Sequence, residues 1–311
     1  MNKPIISLVV PCFNEEESIP KFYDEANRVL KEMNLFEVAE FVFVDDGSSD
    51  GTMNIIHELE NKDERIHFIS FSRNFGKEAA LYAGLSKSVG LYTAVMDADL
   101  QDPPSLLPQM LSAIRNEGYD CAATRRATRN NEPPIRSFFA RKFYKIMGKL
   151  SNVPVVDGAR DFRLMTEKYK NAVLSLCERN RFTKGIFPWV GFNTKWFSYD
   201  NIERIAGKTK WSFWKLFLYS IDGIIGFSTK PLAFSAIAGI LGILLSFILI
   251  VFIIIRKLVF SDPVQGWASL VCIILFVSGV QLFTIGITGL YISKIYTEVK
   301  QRPIYIVKEE K

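Results

Sequence analysis

The stretch VMDADLQDPP, residues 95–104, joins an apolar run to a dense group of acidic and amide side chains and two prolines. Carboxylates crowded at one strand end repel each other, so the arrangement is stable only when a positive group is brought close to them. In an extended segment alternate side chains point to the same side, and Asp97 and Asp99 are then expected to face one ligand together. We therefore predict that the fold presents a ligand site at this strand end.

Short apolar runs alternate with amphipathic helices on both sides of this stretch. The predicted strands cover residues 5–10, 40–44, 66–71, 92–96 and 120–124. The predicted helices cover residues 17–33, 51–60, 77–88 and 105–115. Continuous apolar strands separated by helices of this length indicate a parallel sheet covered on both faces, and right-handed crossovers then give a doubly wound α/β domain. Ligands of such sheets bind beyond the carboxyl ends of the strands.

A second acidic strand end lies in FVFVDDGSSDGT, residues 41–52. A purely structural interpretation of this segment is a strand-to-helix turn in which Ser49 or Asp50 caps the following helix. That interpretation leaves the adjacent pair Asp45 and Asp46 unexplained. Carboxylates at this position can accept hydrogen bonds from a base N–H and from ribose hydroxyls, so the segment also fits a nucleoside site.

The oxygen-rich group after the fourth strand has the ligand chemistry of a divalent cation. Asp97, Asp99 and Gln101 supply hard oxygen atoms of the kind that Mg²⁺ or Mn²⁺ prefers, and such a cation completes its shell with substrate phosphates. The alternative is an acidic turn that caps the helix after Pro104. The sequence contains no G-x-x-x-x-G-K-[ST] loop and no G-x-G-x-x-G, so we expect a nucleotide diphosphate held through a metal.

Two long apolar runs, Pro231–Ile255 and Trp267–Ile292, each reach the roughly 20 residues that a membrane-spanning helix needs. Lysine and arginine are concentrated before the first run and after the second, which predicts that both termini and the catalytic domain are cytoplasmic in a cell-membrane protein with two spans. The formal net charge of +5, from 38 basic and 33 acidic residues, suits an anionic membrane surface. It is too small to indicate a nucleic-acid partner, and we expect none.

Two further segments are predicted to lie in the membrane interface. SFFARKFYKIMGKL, residues 137–150, places aromatic and aliphatic side chains on one helical face and lysine and arginine elsewhere; a helix that covers the sheet is its alternative. WSFWKLFLYSIDGIIGF, residues 211–227, is rich in the aromatic residues that favour headgroup depth. We expect four units: a catalytic domain over 1–210, juxtamembrane helices over 211–229, a transmembrane hairpin over 230–293 and a cytoplasmic tail over 294–311.

The motifs VVPCFNEEESI, VDDGSSDGT, SRNFGKEAA, MDADLQDPP and GARDFRLM together resemble the inverting family 2 glycosyltransferases, which have the GT-A fold. More narrowly, the chain is similar to membrane-anchored polyprenyl-phosphate glycosyltransferases, including bactoprenol glucosyltransferases and dolichol-phosphate mannose synthases. The resemblance extends from about Ile5 through both apolar runs. Each motif alone is unspecific, but their combination is highly specific.

This resemblance implies roles for particular residues. The implied catalytic residues are Asp97, Asp99, Asp161 and Arg163. The implied metal ligands for Mg²⁺ or Mn²⁺ are Asp99, Gln101 and Asp97. The implied ligands of the nucleotide sugar are Pro11, Asn14, Glu15, Asp45, Asp46, Lys77, Asp97, Arg204 and Lys210. Lys208 is expected to close over the diphosphate with Arg204 and Lys210, although all three also fit the ordinary positive charge beside a membrane span.

The acceptor phosphate is expected to bind arginine side chains. Close relatives carry a serine four residues after the arginine of the amphipathic helix, whereas this chain has Ala140 four residues after Arg136. Either that correspondence is shifted, or arginines bind the phosphate without a hydroxyl. The candidate arginines are Arg125, Arg126, Arg136 and Arg141.

The function that follows is inverting transfer of a sugar from a UDP-linked donor, glucose or N-acetylglucosamine, to undecaprenyl phosphate or a similar carrier for cell-envelope glycan modification. A phosphate monoester is largely dianionic at neutral pH, so it needs no general base, and Asp161 is expected to orient the sugar. The alternatives are transfer to a lipid hydroxyl and a non-catalytic nucleotide-sugar-binding scaffold. A processive synthase is disfavoured because Q-x-x-R-W is missing. Further expected partners are a flippase, a downstream glycosyltransferase and a second copy of the chain.

Overall fold

A computed structural model of the chain describes residues 5–127, 156, 158–200, 221–260 and 266–311. Its strands are β1 Ile6–Cys12, β2 Ala39–Asp45, β3 Ile66–Phe71, β4 Tyr92–Val95, β5 Cys121–Arg126, β6 Ala159–Thr166, β7 Thr194–Tyr199 and β8 Val307–Glu310. Its helices are α1 Ile19–Glu32, α2 Thr52–Glu60, α3 Lys77–Lys87, α4 Leu107–Glu117, α5 Glu167–Ser175, α6 Thr183–Trp189, α7 Lys230–Phe260 and α8 Trp267–Val299. The five predicted strands and the four predicted helices of the N-terminal part are therefore confirmed to within a few residues.

The strands form one mostly parallel sheet in the order β7-β5-β6-β4-β1-β2-β3-β8. β1 pairs in parallel with both β2 and β4, and β2 pairs in parallel with β3. The strands after β1 are thus added first on one side of it and then on the other. The topological switch point therefore lies between β1 and β4, beyond their carboxyl ends. The predicted doubly wound α/β class is confirmed, and the acidic segments after β1, β2 and β4 emerge at the same edge.

Helices cover both faces of the sheet. Every position of β2 is buried, as expected for a strand packed on two sides. One apolar cluster joins the sheet to α1, α2 and α4, with Phe22 and Leu107 fully buried. A second joins the opposite face to α3, α5 and α6, and Ala80 and Phe187 are among its buried residues. This two-sided burial fixes the strand ends, and with them the loops that carry the acidic residues.

Three strands lie outside the predicted set, and two of them bring antiparallel pairing. β6 runs antiparallel between β4 and β5, and β8 runs antiparallel along β3. β7 then adds to β5 in parallel. The sheet is therefore mixed, and its antiparallel β6 brings residues from late in the chain to the carboxyl end of β4.

The C-terminal segment returns to the sheet after the last helix. Tyr305 stacks on Phe71 with ring centroids 4.8 Å apart, and the amide of Ser72 donates to the carbonyl of Ile306. At the last turn of α8, one carboxylate oxygen of Glu298 accepts the backbone N–H groups of Arg179 at 2.9 Å and Asn180 at 3.0 Å. The long apolar helix is thus joined to the α/β domain by a polar contact and by a strand.

Two helices are long and apolar enough to cross a membrane. They are Lys230–Ile255, with mean hydropathy 3.1, and Ile273–Val299, with mean hydropathy 2.0, and neither is buried within the chain. Large aliphatic and aromatic side chains cover their surfaces, and Ile243 is 71% exposed. So much exposed apolar surface on helices of this length is what a lipid environment accommodates.

The glycine turn after β2 offers a test of the fold. Gly47 has a φ of +70°, and a Cβ added there would lie 2.5 Å from the carbonyl carbon of Arg73. Gly118 has a similar φ of +76°, but a Cβ there would meet nothing within 4 Å. We expect Gly118→Ala to lower the free energy of unfolding by about 1 kcal/mol through backbone strain alone, and Gly47→Ala by about 3 kcal/mol because a clash is added. Thermal unfolding in detergent measures both, and equal losses would contradict the predicted contact with Arg73.

Candidate active site

The sheet register brings Asp97 and Asp161 together. Val95, the last residue of β4, pairs with Arg163 of the antiparallel β6. Asp97 follows Val95 by two residues, just beyond the end of β4, and Asp161 precedes Arg163 by two residues in β6. Because the two strands are antiparallel, the two aspartates lie opposite each other. Lys77, the first residue of α3, lies at the same edge because α3 follows β3 across the sheet.

A lysine bridge joins these two carboxylates. The Lys77 Nζ lies 2.7 Å from Oδ1 of Asp97 and 2.6 Å from Oδ2 of Asp161. Burial alone would lower the pKa of Lys77, but the charges of Asp161 and Asp97 outweigh it and hold that pKa above its ordinary value. Lys77 is therefore cationic at any physiological pH, and it supplies the positive group that the acidic strand end requires.

Asp161 is held as an anion. Burial would raise its pKa, but the opposing charge of Lys77, followed by that of Lys184, holds the pKa of Asp161 well below its ordinary value. Its second oxygen, Oδ1, is buried and has no hydrogen-bond partner among the described residues. A buried carboxylate oxygen without a donor is costly, so this atom is a candidate acceptor for a substrate hydroxyl.

The segment after β4 turns instead of continuing as an extended strand. β4 ends at Val95, Leu100 has a left-handed φ of +54°, and Oδ1 of Asp99 accepts the backbone N–H of Gln101 at 3.1 Å. The expectation that Asp97 and Asp99 lie in an extended segment is therefore wrong, because an aspartate side chain that binds the backbone two residues later stabilises a turn. Asp97 faces Lys77, whereas Asp99 and Gln101 belong to the turn.

Arg126 contacts this turn. Its Nη2 donates to Oε1 of Gln101 at 3.2 Å. Arg125, its neighbour at the end of β5, points elsewhere and donates through Nε to the hydroxyl of Ser198 at 2.9 Å. Of the two arginines predicted here, Arg126 is the one that reaches the acidic turn.

Sequence reasoning did not identify the buried cluster behind the turn. Asp102 is 1% exposed, and its Oδ1 accepts from Nε of Arg160 at 2.9 Å and from the hydroxyl of Tyr199. Arg160 stands beside Asp161 in the GARDFRLM motif. Its partner Asp102 is 58 residues away in the sequence, and Tyr199, which also donates to Asp102, is 97 residues from that aspartate, so no local pattern indicates the cluster. The pKa of Tyr199 lies above its ordinary value because of burial and the adjacent charge of Asp102.

The first acidic segment builds a turn of its own. Asp45 is 2% exposed, and its oxygens accept from the amide of Ser48 at 3.1 Å and the hydroxyl of Ser70 at 2.9 Å. Asp46 accepts the backbone N–H of Phe75 at 2.6 Å and of Gly76. The two acids thus fix the turn after β2 and the loop that leads to Lys77.

The segment after β1 is tied to the same turn. Asn14 has a φ of +54°, and its Oδ1 accepts the amide of Ser49 at 2.8 Å. The amide of Glu15 donates to the hydroxyl of Thr52 at 2.8 Å. Pro11 pairs in register with Val44 of β2, so the predicted nucleoside residues occupy one continuous edge.

Arg163 is buried beneath the site. It is 4% exposed, its guanidinium carbon lies 3.5 Å from the centroid of the Phe187 ring, and its Nη2 donates to the carbonyl of Arg160 at 3.1 Å. From this position its charge contributes to the low pKa of Asp161. Its contacts support the strand that carries Asp161.

Several predicted residues lie outside the described part of the chain. They are the acceptor arginines Arg136 and Arg141, the interfacial segment 137–150, the basic residues Arg204, Lys208 and Lys210, and residues 211–220 of the second interfacial segment. Residues 221–227 are described and are helical.

Comparison with known proteins identifies the class. The family Glycosyl transferase family 2 matches residues 7–171. The bactoprenol glucosyl transferase of Shigella phage SfV is 43% identical over 306 residues, which are 98% of this chain and 99% of that protein. The prophage bactoprenol glucosyl transferase homolog of Escherichia coli (strain K12) is 41% identical over 306 residues, again 98% and 99% of the two chains.

Among solved structures, mannosyl-3-phosphoglycerate synthase from Rubrobacter xylanophilus is similar with a TM-score of 0.48 and 16% identity, over 70% of this chain and 71% of that one. The family match covers more than half of the chain, and the relatives above match nearly all of it. The chain belongs to glycosyl transferase family 2. It is a glycosyltransferase.

Proposed function

We propose that the protein transfers a sugar, with inversion, from a UDP-linked donor to a polyprenyl phosphate at the cytoplasmic face of the membrane. The observation that carries this proposal is the state of Asp161, which Lys77 holds as an anion of low pKa. A carboxylate of low pKa is a weak general base, which favours an acceptor that arrives already ionised. A phosphate monoester meets this requirement because its second pKa is near 6.

Neither of the two histidines offers itself as the base. The two histidines lie away from the switch point. The side chain of His57 lies 3.8 Å from that of Glu309 in β8, and the side chain of His67 lies 4.0 Å from that of Glu40. A sugar or lipid hydroxyl would need a base that reaches it by hydrogen bond. The described charges therefore favour a phosphate acceptor over a hydroxyl acceptor.

The donor is proposed to occupy the switch point between β1 and β4. The segment from Pro11 to Glu15 and the turn after β2 would hold the nucleoside, since they form the edge next to β1. The unpartnered Oδ1 of Asp161 would accept a sugar hydroxyl, and Lys77 would lie close to the sugar and the diphosphate. Binding in this geometry aligns the anomeric carbon for attack by the acceptor oxygen.

A divalent cation fits the donor set of the 99–102 turn. In the described part of the chain, no group of three or more His, Cys, Asp or Glu side chains is placed to hold a metal ion by itself. Mg²⁺, however, is commonly bound by one or two carboxylates together with substrate phosphates and water. Asp99 with Gln101 matches that pattern, and Asp97 stays a predicted third ligand that now shares its carboxylate with Lys77. When bound, Mg²⁺ or Mn²⁺ would neutralise the leaving diphosphate.

The membrane part supports a lipid acceptor. Two helices are long and apolar enough to span a bilayer, and the last turn of α8 is hydrogen-bonded to the segment before α6. α6 begins at Thr183, whose amide donates to Glu78 beside Lys77 at 2.9 Å. A short series of contacts thus connects the proposed site to the last turn of α8. This connection favours a lipid headgroup as the second substrate.

A donor screen tests the proposal. The purified full-length chain in detergent is incubated with undecaprenyl phosphate, Mg²⁺ or Mn²⁺, and each common UDP-sugar in turn, and the lipid product is identified by mass spectrometry. We expect one UDP-sugar, glucose or N-acetylglucosamine, to give a glycosyl-phosphoryl lipid, and chelation by EDTA to remove the product. Failure to form product with every donor would contradict the proposal.

A further inference from the structure

The cluster of Asp102, Arg160 and Tyr199 lies on the opposite side of β6 from the lysine bridge. Arg160 and Asp161 are consecutive in β6, so their side chains leave opposite faces of the sheet. Asp102 directly follows Gln101, which places the cluster next to the acidic turn. Tyr199, the last residue of β7, closes it from the far side of β5.

This cluster is arranged unlike an ordinary surface ion pair. Asp102 is buried, its Oδ1 accepts from both Arg160 and Tyr199, and its Oδ2 has no hydrogen-bond partner among the described residues. A buried ion pair is weak support for stability, since apolar residues of similar volume often serve as well. Its presence beside the acidic turn therefore points to a role for Arg160 that an apolar residue could not fill.

The two Nη groups of Arg160 make no hydrogen bond to the described residues and are available to a ligand. Its side chain is 20% exposed, and its hydrogen bond to Asp102 uses Nε alone. The two Nη groups of a guanidinium held in this way can donate together to two oxygens of one phosphate. Arg126 reaches the same turn through its bond to Gln101, so two guanidinium groups flank residues 99–102.

We propose that Arg160 and Arg126 form a phosphate-binding pair beside the 99–102 turn, and that Asp102 and Tyr199 are positioning residues that hold the guanidinium of Arg160. The inference rests on the proposed function and names three residues, Asp102, Arg160 and Tyr199, that sequence reasoning did not assign. The ligand is a phosphate group, carried either by the diphosphate of the donor or by the monoester of the lipid acceptor.

Steady-state kinetics on the full-length protein separate the two sources. KM for the UDP-sugar, KM for undecaprenyl phosphate and kcat are measured for Arg160→Ala, Arg160→Lys and Tyr199→Phe. We expect Arg160→Ala to raise one of the two KM values by roughly 10-fold to 100-fold, as loss of a charge-assisted hydrogen bond would. Arg160→Lys should recover part of that loss, and Tyr199→Phe should raise the same KM by roughly 3-fold to 10-fold.

Arg28→Ala is the matched control, because Arg28 is an exposed arginine of α1 that pairs only with Glu25 and Glu32 in the described residues. It should leave both KM values unchanged. Thermal unfolding is recorded for every variant, and if Arg160→Ala does not fold, Arg160→Lys and Tyr199→Phe decide the question. Unchanged KM values in folded Arg160→Lys and Tyr199→Phe, with or without a loss of stability, would overturn the inference.

A binding measurement distinguishes failure of the proposed function from failure of the phosphate-binding pair. If the wild-type protein forms no glycolipid, calorimetry with UDP and with a short-chain polyprenyl phosphate still measures whether the arginine pair binds phosphate. Weaker binding of either compound to Arg160→Lys and Tyr199→Phe would support the pair even then, whereas binding equal to that of the wild type would overturn it.

Discussion

Replacing Asp99 with asparagine is expected to lower kcat/KM for sugar transfer by roughly 1000-fold or more, because the change removes a carboxylate charge from the turn that is proposed to hold the cation and the donor diphosphate. Asp99 is 8% exposed, and asparagine keeps its size, so the fold should survive. UDP binding, measured by calorimetry with and without Mg²⁺, provides a readout that is independent of turnover. In the variant the dependence of UDP affinity on Mg²⁺ should disappear.

Asp24→Asn is the control for this experiment, since Asp24 is an exposed acid of α1 that undergoes the same chemical change. It should retain wild-type turnover and wild-type UDP affinity. Asp99→Asn with normal turnover, or with UDP binding that still responds to Mg²⁺, would show that the cation is held elsewhere.

The second large effect is expected at Lys77. Lys77→Met removes the cation between Asp97 and Asp161 and leaves two carboxylates of like charge at the strand end. Breaking a pair of this kind is strongly unfavourable, and we expect kcat/KM to fall by roughly 100-fold to 1000-fold. Lys87→Met, which removes a lysine at the other end of α3 that pairs with Glu310, should retain wild-type activity.

The pH dependence of the Lys77 variant should differ in shape as well. In the wild-type protein the pKa of Asp161 lies below its ordinary value, so this carboxylate stays ionised until the pH falls through that low pKa, whereas the acceptor phosphate titrates near pH 6. Without Lys77, burial becomes the dominant influence and raises the pKa of Asp161. The acid limb of kcat/KM should then move to higher pH. An acid limb that stays in place would show that Lys77 does not set the charge of Asp161.

The part of the fold that could be predicted from sequence is the part with local signals. β1 and β2 are uninterrupted apolar runs, and the helices between them have clear periodicity, so two-sided burial was readable. β6 was missed because Arg160, Asp161 and Arg163 interrupt its pattern with charges that only the folded site makes stable. β8 was missed because VKEE is a polar strand that forms only against β3, far away in the sequence.

In the site, too, the features with local sequence signals could be predicted, whereas those that depend on long-range pairing could not. The acidic strand ends indicated where a ligand would bind, because carboxyl ends of parallel strands meet at one edge. The lysine bridge depends on the pairing of Val95 with Arg163 across an antiparallel β6, which no local pattern announces. Likewise, the turn at Leu100 reassigned Asp97 to Lys77 and left Asp99 with Gln101, since the side-chain bond of Asp99 to the backbone competes with an extended strand.

The anchoring of the domain was also beyond sequence reasoning. The basic residues around the apolar runs predict the side of the membrane on which the domain lies, but not its contacts. In the structure, Lys294 of α8 lies 2.6 Å from Asp222 and donates to Asn180 at 2.8 Å, while β8 completes the sheet. These contacts join the C-terminal part of α8 to the α/β domain.

The claim on which the rest depends is that the acceptor is a phosphate and needs no base. Transfer of radiolabelled sugar from its UDP donor to undecaprenyl phosphate, compared with transfer to undecaprenol under identical conditions, tests it most directly. We predict labelled lipid with the phosphate and none with the alcohol. Labelled product from undecaprenol at a comparable rate would mean that a side chain does act as a general base, and it would contradict the proposed roles of Asp161 and Lys77.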